Sequence, residues 1–359
     1  MSLNRYFFLV GLCLLWAASL VQAQEQTPTI ELLSETVTLT GRVTGMALSR
    51  DSARLAVADD SNTFTVLSLE SNTALSQFAI GNGDLFLENS VHYSADGTLI
   101  VVGTFYSVRV VDGLTGIQRY EIAGGVDDLA LAPDGQRLYV LNADVVTVYD
   151  TASGSPVNSF SVGAADDGRA ASDLEVLADG TLVLLVPDAS FDYYVTTFSP
   201  DGVLLTSTES YGRDLIAAGQ TAISAYYGSL FAYRSQTAET FLLSASAPCG
   251  DFAALAVNPD ASLLAAVAAD CGLHIFDVSS GAEVFVESLT DAGKVAFNNE
   301  RLIVSAGTAL RVYAAAAPGA SADSAEESQA SAATTVDAQT NAEETIPPAA
   351  EYVYRFNFS

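Results

Sequence analysis

Lysine is almost missing from this chain. Lys294 is the only one, and lysine and arginine together number 14 against 43 aspartates and glutamates, for a formal net charge of −29. A phosphate backbone would be repelled by such a field, which excludes nucleic acid as a partner and disfavours anionic membrane surfaces. Histidine is nearly as scarce. His92 and His274 are the two present, and neither belongs to a His-x-His or His-x-x-x-His pair, so a zinc site has little support. The single tryptophan, Trp16, falls in the N-terminal apolar run. Gly-x-Ser-x-Gly, Walker and dinucleotide-binding fingerprints are absent. No apolar run reaches the ~20 residues that a spanning helix needs.

The longest such run, residues 6–20, follows Arg5 and precedes Val21-Gln22-Ala23. A basic residue, an apolar stretch and a small-x-small site make the order of a secretory signal peptide. Residues 1–23 are therefore expected to be a leader, with an uncleaved N-terminal anchor as the alternative. The mature chain would then be exported, periplasmic or extracellular, and not inserted in a membrane. Cys13, preceded by Leu12, does not form a lipoprotein site. Cleavage would leave Cys249 and Cys271, and two cysteines in an exported chain suggest one disulfide.

A turn carrying Asp, followed by a β-rich run, recurs along the chain. It begins at Asp51, Asp96, Asp134, Asp179 and Asp260, weakens at Asn299, and has a degenerate copy at Gly219. The spacings lie between 38 and 45 residues and average about 41, the period of propeller blades. Each unit has a strand before the turn and an apolar strand after it. A third, alternating strand ends in an aromatic-Asp pair, such as Tyr149-Asp150 or Phe276-Asp277. A fourth follows a Gly turn and alternates with polar residues. Inner strands covered on both faces should be wholly apolar, whereas the outermost should meet water.

The seventh unit stops at an alanine run without its fourth strand, and residues 30–39 form a strand that has no unit of its own. Donating that strand to the last unit closes a ring and removes two exposed sheet edges. The predicted fold is thus all-β: a seven-bladed β-propeller of four-stranded antiparallel blades over residues 28–315, closed by an N-terminal strand. On the period, the Asp-Gly turns and the aromatic-Asp ends, the chain resembles the WD40/YVTN propeller superfamily, in its exported bacterial form. Intact Trp-Asp and Gly-His signatures are absent, so the tetrad of eukaryotic WD40 blades does not carry over.

Residues 316–350 collapse to Ala, Ser, Thr, Glu, Asp and Pro, a composition that cannot bury surface and reads as a disordered linker. Residues 351–359 place aromatics at Tyr352, Tyr354, Phe356 and Phe358, a strand-like alternation. That segment either lies loosely on the propeller or serves as a docking or export tag.

The candidate chemistry lies in carboxylates at the entry to first strands: Asp127, Asp128, Asp173, Asp214, Asp251 and Asp291, with Thr44 and Glu88-Asn89 at the same place in the first two units. These entries and the loops between second and third strands should surround one channel mouth. Asp in such turns often caps its own backbone; the alternative is a shared acidic rim. Cys249 and Cys271 fall in two loops of that same face of the sixth blade. A bridge there would stabilise by about 3 kcal/mol in the chain-entropy model.

The favoured reading is an exported, monomeric, non-catalytic scaffold that holds a basic protein or peptide on its acidic channel face. No cofactor is required, although calcium, which takes oxygen ligands alone, would suit the rim. The alternative, which the resemblance to propeller enzymes such as lactonases implies, is a hydrolase with a carboxylate-bound metal in the channel.

Overall fold

The second strand of each unit is apolar on both faces because both faces are covered. In β3 (Arg54–Asp59), Leu55 and Val57 pack toward the last blade, while Ala56 and Ala58 pack toward the second. In β23 (Leu263–Ala268), Leu263, Ala265 and Val267 join one core cluster; Leu264, Ala266 and Ala268 join the next. Side chains alternate across a strand, so each such strand serves two interfaces. The computed structural model describes residues 29–36, 39–80, 84–162, 171–187, 193–210, 212, 214–244, 250–298 and 300–316.

Among them stand seven antiparallel sheets of four strands each. Six are built from consecutive strands within residues 43–79, 86–123, 128–161, 173–210, 214–244 and 254–287. The seventh takes three strands from residues 292–316 and a fourth from β1 (Thr29–Thr36), which pairs antiparallel with β28 (Ala309–Ala316). The expected ring closure is present. Seven apolar clusters fill the structure, each lying between two successive blades. No blade has a core of its own, so the ring is the cooperative unit.

The recurring aspartates organise one face. Asp51, Asp96, Asp134, Asp179 and Asp260 each accept the backbone N–H two residues on. The residue between sits at positive φ, as Gly97, Gly135 and Gly180, but as Ser52 and Ala261 in blades one and six. That conformation explains the Asp-Gly repeat, because only glycine adopts it without steric cost. The Asp at the end of third strands caps the following turn. Asp112 accepts the N–H groups of Leu114 and Thr115, Asp150 that of Ser153, and Asp277 that of Ser280.

Candidate functional site

The innermost strands of all seven blades line one central cavity of about 390 Å³. In β10 (Asp128–Leu131), β14 (Asp173–Val176) and β18 (Asp214–Ala218) the first residue is aspartate, and all three aspartates reach the cavity. The turn hydrogen bonds fix the register around the ring. Ser49, Ser94, Ala132, Leu177, Asn258 and Asn298 each donate a backbone N–H across the first turn of their blade. Counting four residues back from each gives Gly45, Ser90, Asp128, Asp173, Ala254 and Lys294, with Asp214 at the same place in blade five. Three carboxylates thus occupy consecutive blades, and the only lysine stands on the opposite side of the ring.

Local bonding explains why the aspartates stay there. Asp128 Oδ1 accepts its neighbour's N–H from Leu129 at 2.8 Å, and Oδ2 accepts the Leu174 N–H of the next blade at 2.6 Å. Asp173 Oδ2 accepts the Leu215 N–H of the blade after that at 2.7 Å. Each carboxylate therefore pins an inner strand to the following one, as well as lining the channel. Glu175, two residues further along β14, accepts backbone N–H groups of Val176 and Ala217.

The price of this packing is electrostatic. Burial pushes Asp128 up to about 6 despite its hydrogen bonds. Asp173 rises well above the carboxylate range, first through burial and then through the charges of Asp128, Glu175 and Asp214. Burial and the Asp128 charge push Glu175 up to about 8. The Asp128 charge is among the causes that raise Asp173, so a proton held by this pair relieves their repulsion. His92, on β6 (Phe86–Tyr93), also lines the cavity. Its burial pushes it down to about 4, and it carries no charge near neutrality. The buried Lys294 Nζ is held 3.2 Å from Glu88 Oε2.

Asp127, Asp251 and Asp291 stand elsewhere. All three are exposed and lie outside the cavity lining. Asp127 accepts the Ala143 N–H and Asp251 the Tyr227 N–H, so both cap neighbouring loops of the mouth face. Cys271 is half-buried in the turn before β24 (Gly272–Asp277); Cys249 lies outside the described residues, as do the expected leader and the tail from 317 onward. His274 lies in β24, away from the cavity lining, 2.6 Å from Glu283 and against the Phe252 ring. Among the described residues no three of His, Cys, Asp and Glu are arranged to hold a metal ion.

Glu175 and Lys294 were not among the residues singled out for the site. Glu175 was signalled by a second charge within the four-residue inner strand Asp173–Val176. Lys294 occupies the same register as the aspartates, which a strict alignment of the blades exposes. No protein-family model matches the sequence, and no curated protein matches it either.

Proposed function

We propose that this chain is an exported, non-catalytic propeller that holds a basic segment of a protein or peptide on its acidic channel face. The observation that supports this reading is the arc of Asp128, Asp173 and Asp214 on three consecutive blades, with Glu175 beneath it. Crowded buried carboxylates hold protons that a bound cation would displace. A guanidinium or ammonium group entering the arc lets them ionise, so affinity for a basic segment should rise between pH 5 and pH 8. Calcium would meet the same field without needing His or Cys.

The test is an anisotropy titration of the mature chain with fluorescein-labelled nona-arginine, using nona-glutamate as control. The triple variant D128N/D173N/D214N keeps side-chain volume and one acceptor oxygen per site. It should bind nona-arginine at least tenfold more weakly, and equal affinity would overturn the reading. Metal content measured on purified protein, beside a lactone and ester turnover screen, separates the scaffold from the metal-dependent hydrolase.

A further inference from the structure

The mouth face carries exposed apolar side chains that the blades do not need. On blade two the turn between β7 (Leu99–Thr104) and β8 (Ser107–Asp112) presents Phe105 and Tyr106, 48% and 65% exposed. Leu85, 51% exposed, lies beside them, its carbonyl accepting the Phe105 N–H. Val126, which leads into Asp127 and Asp128, donates its N–H to the Phe105 carbonyl. On blade five the turn between β19 (Thr221–Tyr226) and β20 (Ser229–Arg234) presents Tyr227, 62% exposed and edge-on to Tyr226 at 4.4 Å between ring centroids. Its backbone N–H is held by Asp251.

These two outcrops bracket the carboxylates. Going round the ring from blade two to blade five, the order is Leu85, Phe105 and Tyr106, then Asp127, Asp128, Asp173 and Asp214, then Tyr227. The equivalent turn of blade one is polar, Asp60-Ser61-Asn62, and those of blades three and seven, Ala143-Asp144 and Gly307-Thr308, carry no large apolar side chain. Exposed apolar groups rimmed by charge mark interaction surfaces, and aromatic side chains supply large contact area at low entropic cost.

We infer that Leu85, Phe105 and Tyr106 on blade two and Tyr227 on blade five form the two apolar anchors of a docking surface for an extended polypeptide. Its central residues are cationic, and apolar residues flank them. Charge complementarity selects that occupant: the described residues named between the anchors, Asp127, Asp128, Asp173 and Asp214, are all carboxylates, and a neutral or acidic segment would bring them no opposite charge. The inference rests on the acidic-face reading above and adds to it the class of sequence that binds.

The test uses two labelled probes with the mature chain: nona-arginine, and a nonapeptide with three central arginines flanked on each side by three phenylalanine or leucine residues. The variants are F105S/Y106S, Y227S and, as control, I117S, which removes an exposed apolar residue from the opposite face. All sites are exposed, and unchanged melting curves establish that each variant is folded. Both mouth variants should lose about tenfold in affinity for the flanked peptide and retain that for nona-arginine, while I117S changes neither. If the mouth variants bind the flanked peptide as the parent does, or lose no more than I117S, the anchors are wrong while the acidic face stands. If neither probe binds the parent, both readings fall.

Discussion

Aspartates serve opposite purposes on the two faces of this propeller. On the turn face, Asp51, Asp96, Asp112 and Asp150 are held below the usual carboxylate range by hydrogen bonds from Ser49, Ser94, Arg119 and Ser153 respectively. In the channel, burial holds Asp128, Asp173 and Glu175 above it, and the Asp128 charge adds to the rise of the other two. The signs of the resulting pH dependences differ. A carboxylate whose pKa falls on folding stabilises above its unfolded pKa and loses that contribution as acid titrates it. A carboxyl whose pKa rises contributes fully below its unfolded value and loses that contribution as pH climbs through its folded one. The turns thus favour neutral solution, whereas the channel favours mild acid unless a cation enters. Both sets accept backbone N–H groups, but burial outweighs those bonds in the second.

The sharpest way to break this contrast is Glu175→Gln. Removing the charge while keeping one acceptor should raise stability at pH 8 by on the order of 3 kcal/mol and leave pH 4 nearly unchanged. Urea melts at the two values would read it, and an equal effect at both would place the Glu175 shift in doubt.

Asp112→Ala tests the other face and should have the opposite sign. Losing the cap of Leu114 and Thr115 and the partner of Arg119 should cost about 1 kcal/mol at pH 7, discounted for solvent screening, and less at pH 3. A loss that does not shrink in acid would mean that the cap acts through shape and not charge.

A smaller effect sharpens the geometric half of the comparison. Ala261→Gly, at φ 58°, should gain up to about 1 kcal/mol, because glycine tolerates that backbone. Ser52→Gly, at φ 55°, should gain less, since Ser52 Oγ accepts a hydrogen bond from Asn298 Nδ2. Thermal melts of the two single variants decide it; destabilisation by Ala261→Gly would show that its methyl contact outweighs backbone strain.

Much of the fold was legible because five of the seven blades repeat the same local requirement. An Asp must cap the first turn, a residue at positive φ must follow, and an inner strand must be apolar on both faces. The period, the strand types and the missing fourth strand all follow from residues such as Asp96-Gly97 and Leu263 to Ala268. The site was only partly legible. Asp128, Asp173 and Asp214 could be placed at strand entries, but so could Asp127, Asp251 and Asp291. Nothing in spacing distinguishes a carboxylate that turns into the channel from one that caps a neighbouring loop.

The sequence by itself determined the repeat, the number of blades and the face on which the acidic entries lie, since those depend on contacts close in the chain. Only the closed ring decided which carboxylates meet. Asp128 and Leu174, or Asp173 and Leu215, are more than forty positions apart, and Lys294 and Glu88 lie 206 apart. Their proximity, and the raised proton affinity that accompanies it, arise when seven inner strands are brought around a common axis and their packing desolvates the carboxylates.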